Sequence, residues 1–404
     1  MEKLTTLAVI PARGGSKGIP RKNVRQLAGR PLIAYNIEQA LRSRFVNRVV
    51  VSTDDAEIGG FARQYGAEVI WRPAEISGDS ASSESALLHV LDHLRQVEGY
   101  QPDLLVLLQC TSPLTLAEDI DGTLAALLDQ QADSALAVIP FHYFLWRAST
   151  DDHQQPDAVG INHVKEVRPL RQEREAQFLE TGAVFGMRVP GFQAARHRFF
   201  GRTAMYVMPA ERRLEIDDPV DFDVAEVLLR QQKKTERLKR LPNPIQAIIF
   251  DFDGVFTDNR VILSENSVES VVCNRSDGSG IANLKKTGLP MLILSSETNP
   301  VVQARAAKLR LPCIYGRQDK WEALQEWLAE NRLEAQYVVY VGNDINDLKC
   351  MDHVGCAAAV ADAQPAVLPH ADIILENAGG KGAVREICDL ILLANQKLSQ
   401  ITNY

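Results

Sequence analysis

Along the first 110 residues, short apolar runs alternate with longer stretches whose apolar positions recur every three to four residues. Residues 7–10, 48–52, 69–71 and 104–108 are rich in Leu, Val and Ile with few polar interruptions, the pattern of strands buried on both faces. Between them, 31–42, 56–65 and 83–96 follow the helical period. Such β-α-β alternation predicts a largely parallel sheet with helices on both sides, a Rossmann-like doubly wound α/β domain. Farther on, 220–232 is again helical, and the run K-K-T-E-R-L-K-R-L-P-N-P is basic and then broken by proline. That run reads as a helix end followed by a linker. The chain is therefore expected to divide into a domain at 1–232, a linker at 233–244 and a second domain at 245–404.

Composition narrows the class without naming a chemistry. With 46% hydrophobic and 24% charged residues over 404 positions, each half is large enough to bury a core of its own. A net charge of -8 argues against non-specific nucleic-acid binding and leaves anions to local basic pockets. No apolar stretch reaches the roughly 18 residues of a membrane helix, and the N-terminus starts directly into a strand without a signal peptide's apolar region. The six cysteines form no C-x-x-C pair, which suits reduced core residues in a cytoplasmic protein.

The sharpest chemical statement is A-I-I-F-D-F-D-G-V-F-T-D at 247–258. Residues two apart on a strand share a face, so Asp251 and Asp253 are expected to project together from a strand's C-terminal end. Two close carboxylates need a cation between them or a proton on one, which points to Mg2+ and to a nucleophile beside an acid/base. Three further signals follow in order: Ser295 after the apolar run 291–294, Lys320 in G-R-Q-D-K-W, and Asn343, Asp344 and Asp347 in V-V-Y-V-G-N-D-I-N-D. Together with the tail A-D-A-Q-P-A-V-L-P-H-A-D and G-G-K-G-A-V-R-E, this half resembles the haloacid dehalogenase (HAD) phosphatases. The similarity is to their capless branch acting on 3-deoxy-octulosonate 8-phosphate and nonulosonate 9-phosphates. The resemblance implies an open α/β fold, with Asp251 as nucleophile and Asp253 as acid/base. It also implies that Ser295 and Lys320 bind the phosphoryl group, and that Mg2+ lies on Asp251, Asp253, Asn343 and Asp344. Many members carry Asp where this chain has Asn343. Residues 260–273 read as a β-hairpin, the element through which that branch assembles into tetramers.

The other glycine-rich stretch follows the first strand. In P-A-R-G-G-S-K-G-I-P-R-K-N, Gly14, Gly15 and Gly18 permit a tight turn and close approach, and Arg13, Lys17, Arg21 and Lys22 supply charge suited to a triphosphate. The spacing fits neither the dinucleotide fingerprint nor a Walker loop. It resembles the acylneuraminate cytidylyltransferases, whose loop reads A-R-x-x-S-K-G-[IL]-P-x-K-N, and the similarity covers about the first 230 residues. The resemblance implies CTP binding by Arg13, Gly14, Gly15, Ser16 and Lys22. It extends to Arg72, to Gln109 in Q-C-T-S-P-L, to Arg147, and to Arg171 with Gln172, a pair able to hold a sugar carboxylate. Thr115, Leu179 and Thr181 replace residues common in that family. In R-L-E-I-D-D-P-V-D, Glu215 and Asp217 match an acid pair that holds Mg2+. An acidic helix N-terminus favouring its own macrodipole is the other reading of those acids.

The sequence thus implies a bifunctional enzyme. Its first domain transfers CMP from CTP to a nine-carbon sugar acid and releases pyrophosphate, and its second hydrolyses a sugar-acid phosphate, with a nonulosonate 9-phosphate favoured. Two alternatives remain at this level: a second domain that only assembles a homotetramer, and a phosphatase for an unrelated ester.

Overall fold

The structure is a computed structural model that describes residues 4–15, 18–78, 81–150, 155–266 and 268–401, with backbone alone over 397–401. It forms two compact units, Met1–Gln231 and Gln232–Tyr404.

In the first unit a seven-stranded sheet runs from Thr203–Val207 through Ser134–Phe141, Gln177–Arg188, Leu104–Leu108, Thr6–Pro11 and Arg48–Thr53 to Glu68–Trp71. Gln177–Arg188 lies antiparallel to both neighbours, and the other adjacent pairs are parallel. The apolar runs are continuous because the sheet is covered on both sides. Leu7, Val9, Leu105 and Leu107 pack into one core, and Ala8, Ile10, Val106 and Leu108 into the other. Each fully buried Leu or Ile there contributes about 1.5–3 kcal/mol over leaving it in water. From Thr6–Pro11 the chain builds outward on one side, then returns through Leu104–Leu108 to build the other. The crevice between the C-terminal ends of those two strands is a topological switch point, where open α/β sheets place their ligands.

The second unit repeats this logic with six parallel strands, in the order Cys313–Ile314, Met291–Leu294, Ala247–Phe250, Val338–Gly342, Cys356–Ala359 and Ile373–Ile374. Its switch point lies between Ala247–Phe250 and Val338–Gly342, so Asp251 and Asn343 emerge side by side. The expectation of two doubly wound α/β domains holds.

Two expectations needed correction. The helix expected to stop at 232 runs as Pro219–Arg240, because its Lys, Glu, Arg and Leu are good helix formers and Pro242 is what ends it. Leu238 packs on the second unit's core and Arg237 bonds the Ile374 carbonyl at 2.7 Å, so the stretch expected to be a linker is in part ordered helix. The hairpin at 260–273 is also shorter than its apolar run, pairing only Ile262–Leu263 with Glu269–Ser270. No helix among the described residues is long and apolar enough to cross a membrane.

Candidate active sites

In the first unit the glycine loop leaves the end of Thr6–Pro11 and is fastened to the next strand's end. Asp54 Oδ1 accepts from the Gly14 amide at 3.0 Å, and Asn23 Nδ2 donates to the Arg13 carbonyl at 3.0 Å. Asp55 caps the helix Ala56–Gln64 and pairs with Arg21 at 2.5 Å. A Cβ on Gly14 would lie 2.8 Å from Asp55 Oδ2, and one on Gly18 would lie 3.0 Å from the Asp217 carbonyl. At Gly14, whose backbone is not left-handed, crowding against Asp55 is what favours glycine. The space beside Gly15 is open. Ser16 and Lys17 lie outside the described residues.

Lys22 donates to the Ile216 carbonyl at 2.7 Å and lies 3.6 Å from Asp217 Oδ1. The loop lysine and the acid pair expected from R-L-E-I-D-D therefore share one crevice. Glu215 reaches the same place: a Cβ on Gly182, whose φ is +65°, would lie 2.0 Å from Glu215 Oε1 and 2.8 Å from Gln109 Oε1. Burial raises the Glu215 pKa, and the Asp217 and Glu180 carboxylates raise it further. A cation would relieve that repulsion, so the donor set fits a divalent metal.

Arg72 is buried and donates to the Ser52 carbonyl at 2.7 Å; burial lowers its pKa, with Arg13 adding to the effect and Asp54 opposing it. Arg147, on the exposed hairpin Trp146–Thr150 with Pro156–Gly160, forms no hydrogen bond or ion pair with the loop's described residues, and neither do Arg171 and Gln172. Thr181 faces away into the sheet, donating to the Ala137 carbonyl at 2.9 Å.

The second unit assembles its site around Lys320, the first residue of the helix Lys320–Asn331. Its buried ammonium lies 2.6 Å from Asp251 Oδ1 and 2.7 Å from Asp347 Oδ1. Burial works against the Lys320 charge, but the two carboxylates outweigh it and raise its pKa. Asp251 is pushed up to about 7 by burial and then by Asp347, against the pull of Lys320. Asp253 is raised by burial and by Glu297. Ser295 Oγ accepts from the Glu297 amide at 3.0 Å, which leaves its hydroxyl proton free to donate.

Asn343 lies beside Asp251 and Asp253. Its amide nitrogen donates to the Asp253 carbonyl at 2.9 Å and to Asp251 Oδ2 at 3.1 Å. With the amide turned over, its oxygen would join those two as a hard-cation donor set. Asp344 lines the same cleft. Among the described residues no trio of His, Cys, Asp or Glu could hold a metal ion; a metal in this cleft would draw on an amide and a backbone carbonyl as well.

Asp347 does not join Asn343 and Asp344 at the cleft. Its carboxylate is fully engaged by Lys320, by the Tyr340 hydroxyl at 2.7 Å, and by the Asn343 and Asp344 amides at 2.8 and 3.2 Å. It anchors the lysine and the loop. Sequence reasoning passed over Tyr340, Glu180 and Asp54; only Glu180, two residues before a glycine in the matched segment, carried a local signal. It also left the G-G-K-G tail without a mechanical role. A Cβ on Gly379 would lie 1.9 Å from the Gly254 carbonyl, and one on Gly380 2.6 Å from the Asp258 amide. The tail therefore clamps the nucleophile loop at a distance only glycine allows.

A cytidylyltransferase family model matches residues 7–240, and a haloacid dehalogenase-like hydrolase model matches 314–387. The chain is 32% identical to "N-acylneuraminate cytidylyltransferase A" of Danio rerio over 96% of its own length and 89% of the relative's. It is 37% identical to the 3-deoxy-D-manno-octulosonate 8-phosphate phosphatase KdsC of Escherichia coli over 39% of its length and 84% of that protein's. A solved structure of a HAD-family hydrolase from Streptomyces avermitilis is 47% identical, with a TM-score of 0.37, over 38% of this chain and 88% of that one.

Proposed function

The chain belongs to the cytidylyltransferase family, with a haloacid dehalogenase-type phosphatase domain at its C-terminal side, and we propose that both sites turn over, on consecutive forms of one nine-carbon sugar acid. The second site would remove the phosphate from a nonulosonate 9-phosphate, and the first would couple the freed acid to CMP from CTP. The similarity to the Danio rerio enzyme supports the sugar class, and that to the octulosonate phosphatase supports a sugar-acid ester.

In the first site Arg13, the Gly14 and Gly15 backbone and Lys22 would cradle the triphosphate, so that the sugar's anomeric oxygen attacks the α-phosphorus and pyrophosphate leaves. Positioning and charge stabilisation carry most of such a transfer. Bound Mg2+ would supply positive charge to the phosphoryl oxygens, held by Glu215 and Asp217 in the first site. Asp251, the Asp253 carbonyl and Asn343, with Asp344 at the edge, would hold it in the second.

In the second site a carboxylate oxygen of Asp251 would attack phosphorus while the phosphorus–oxygen bond to the sugar breaks, giving an aspartyl-phosphate. Asp253, its pKa raised by burial and by Glu297, would give a proton to the leaving oxygen. It would then take one from the water that releases inorganic phosphate. Lys320 and the Ser295 hydroxyl would bind the phosphoryl oxygens. The observation that carries this reading is the Lys320 ammonium buried between Asp251 and Asp347. A domain kept only for assembly has no use for such a paired charge.

We further propose a homotetramer closed through the second unit's hairpin, which exposes Val261, Ile262, Leu263 and Val268, and a cytoplasmic enzyme, in keeping with six free cysteines. The test is to follow phosphate release from a nonulosonate 9-phosphate and from generic sugar phosphates, and pyrophosphate release from CTP with a panel of nine-carbon acids. Release of phosphate from the 9-phosphate at least ~10-fold faster than from the generic esters supports the reading. No release from any ester would leave the domain an assembly module.

A further inference from the structure

The phosphatase cleft, of about 420 Å³, is lined beyond its catalytic residues by groups from the hairpin and from the loop after Ser295. One chain of contacts joins them. Glu297 Oε1 accepts from the Asn299 amide at 3.0 Å, and Asn299 Oδ1 accepts from the Val301 amide at 3.0 Å, at the start of the helix Val301–Leu309. That second bond fixes which end of the Asn299 side chain is oxygen. Its Nδ2 is thereby turned to the hairpin, where it donates to Glu269 Oε2 at 2.7 Å. The carboxylate is held by one oxygen, and the residue lines the cleft that contains Asp251 and Asp253.

We propose that Glu269, positioned by Asn299, is a specificity residue of the phosphatase site that accepts a hydrogen bond from a hydroxyl of the sugar leaving group. This deepens the phosphatase reading and rests on it. The sign of the charge decides what Glu269 can read. A carboxylate offers acceptors only and repels the phosphate and acid groups of such a substrate. The part that faces Glu269 must therefore be the neutral, donor-bearing polyol section. The other acid at this end of the cleft, Glu297, has one oxygen taken by the Thr298 and Asn299 amides. Glu269 is carried instead on the two-residue strand Glu269–Ser270, so its reach follows the hairpin's placement.

The test compares two substrates on the full chain: a nonulosonate 9-phosphate, which has the polyol section, and p-nitrophenyl phosphate, which lacks it. Glu269→Gln keeps the shape but puts a neutral amide where the acceptor stood, and Asn299→Ala frees the carboxylate. The proposal predicts that Glu269→Gln raises KM for the 9-phosphate about tenfold or more, as expected for a lost charged hydrogen bond. Asn299→Ala should move it in the same direction by less. Turnover of p-nitrophenyl phosphate should stay within about twofold of wild type. Equal losses on both substrates would assign Glu269 to the shape of the catalytic centre and overturn the proposal, as would an unchanged KM for the 9-phosphate. A wild-type chain that hydrolyses neither ester overturns the phosphatase reading itself. One that hydrolyses only p-nitrophenyl phosphate overturns the polyol substrate.

Discussion

Asp347 accepts from Lys320 at 2.7 Å through the same oxygen that Tyr340 donates to, while its other oxygen takes the Asn343 amide at 2.8 Å. One carboxylate thus fixes both Lys320 and the loop that carries Asn343.

Asp347→Asn removes one of the two charges that hold Lys320 and replaces an acceptor with a donor facing the ammonium. The expected loss in phosphatase kcat is about 10- to 100-fold, the usual cost of disturbing a group that orients a site, with CTP-dependent activation unchanged. Steady-state kinetics of both activities on one preparation checks it. A loss below about twofold would show that Asp251 alone positions the lysine.

On the proposed reading, Asn343 would give the second site's cation a neutral amide ligand in place of a carboxylate. Asn343→Asp should lower the Mg2+ concentration for half-maximal phosphate release, since an added negative charge strengthens a hard-cation site. Chelation should silence wild type and variant alike. Titration of Mg2+ against phosphate release decides it, and an unchanged midpoint would place the cation elsewhere.

Asp277 is fully buried; Oδ1 accepts from the Arg385 amide at 3.1 Å, and Oδ2 has no hydrogen-bond partner. Burial raises its pKa from 3.8 to about 6. Because the folded value lies above the unfolded one, the fold favours the protonated acid. The penalty of ionising it is absent below about pH 4, grows through the interval and is complete above about pH 6. Asp277→Asn should therefore stabilise the second unit at pH 7.5 by about 2–3 kcal/mol and change little at pH 4. Thermal unfolding at the two pH values is the check, and a destabilised variant at pH 7.5 would show that the ionised carboxylate is needed.

The strand–helix alternation was legible because both sheets are buried on two faces, which writes each strand as an uninterrupted apolar run such as Leu104–Leu108. The placement of Asp251, Ser295 and Asn343 at strand ends was legible too, since each directly follows such a run or one glycine beyond it. Long-range fastening was not. Asp54 holds Gly14 across 40 residues and Asp347 holds Lys320 across 27, and neither distance leaves a local pattern. The helix end was misjudged because Pro219–Arg240 keeps its period as its charge changes sign along the way. Arg147, Arg171 and Gln172 form no hydrogen bond or ion pair with the loop's described residues.

The central claim is that one chain carries two independent active sites, one fixed by Lys22 and the other by Asp251. The most direct measurement follows pyrophosphate release from CTP with a nine-carbon acid, and phosphate release from its 9-phosphate, in wild type, Lys22→Ala and Asp251→Asn. The account predicts that Asp251→Asn abolishes phosphate release and leaves pyrophosphate release within about twofold of wild type, and that Lys22→Ala does the reverse, as expected for independent sites. A folded variant in which either single change silences both reactions would contradict it.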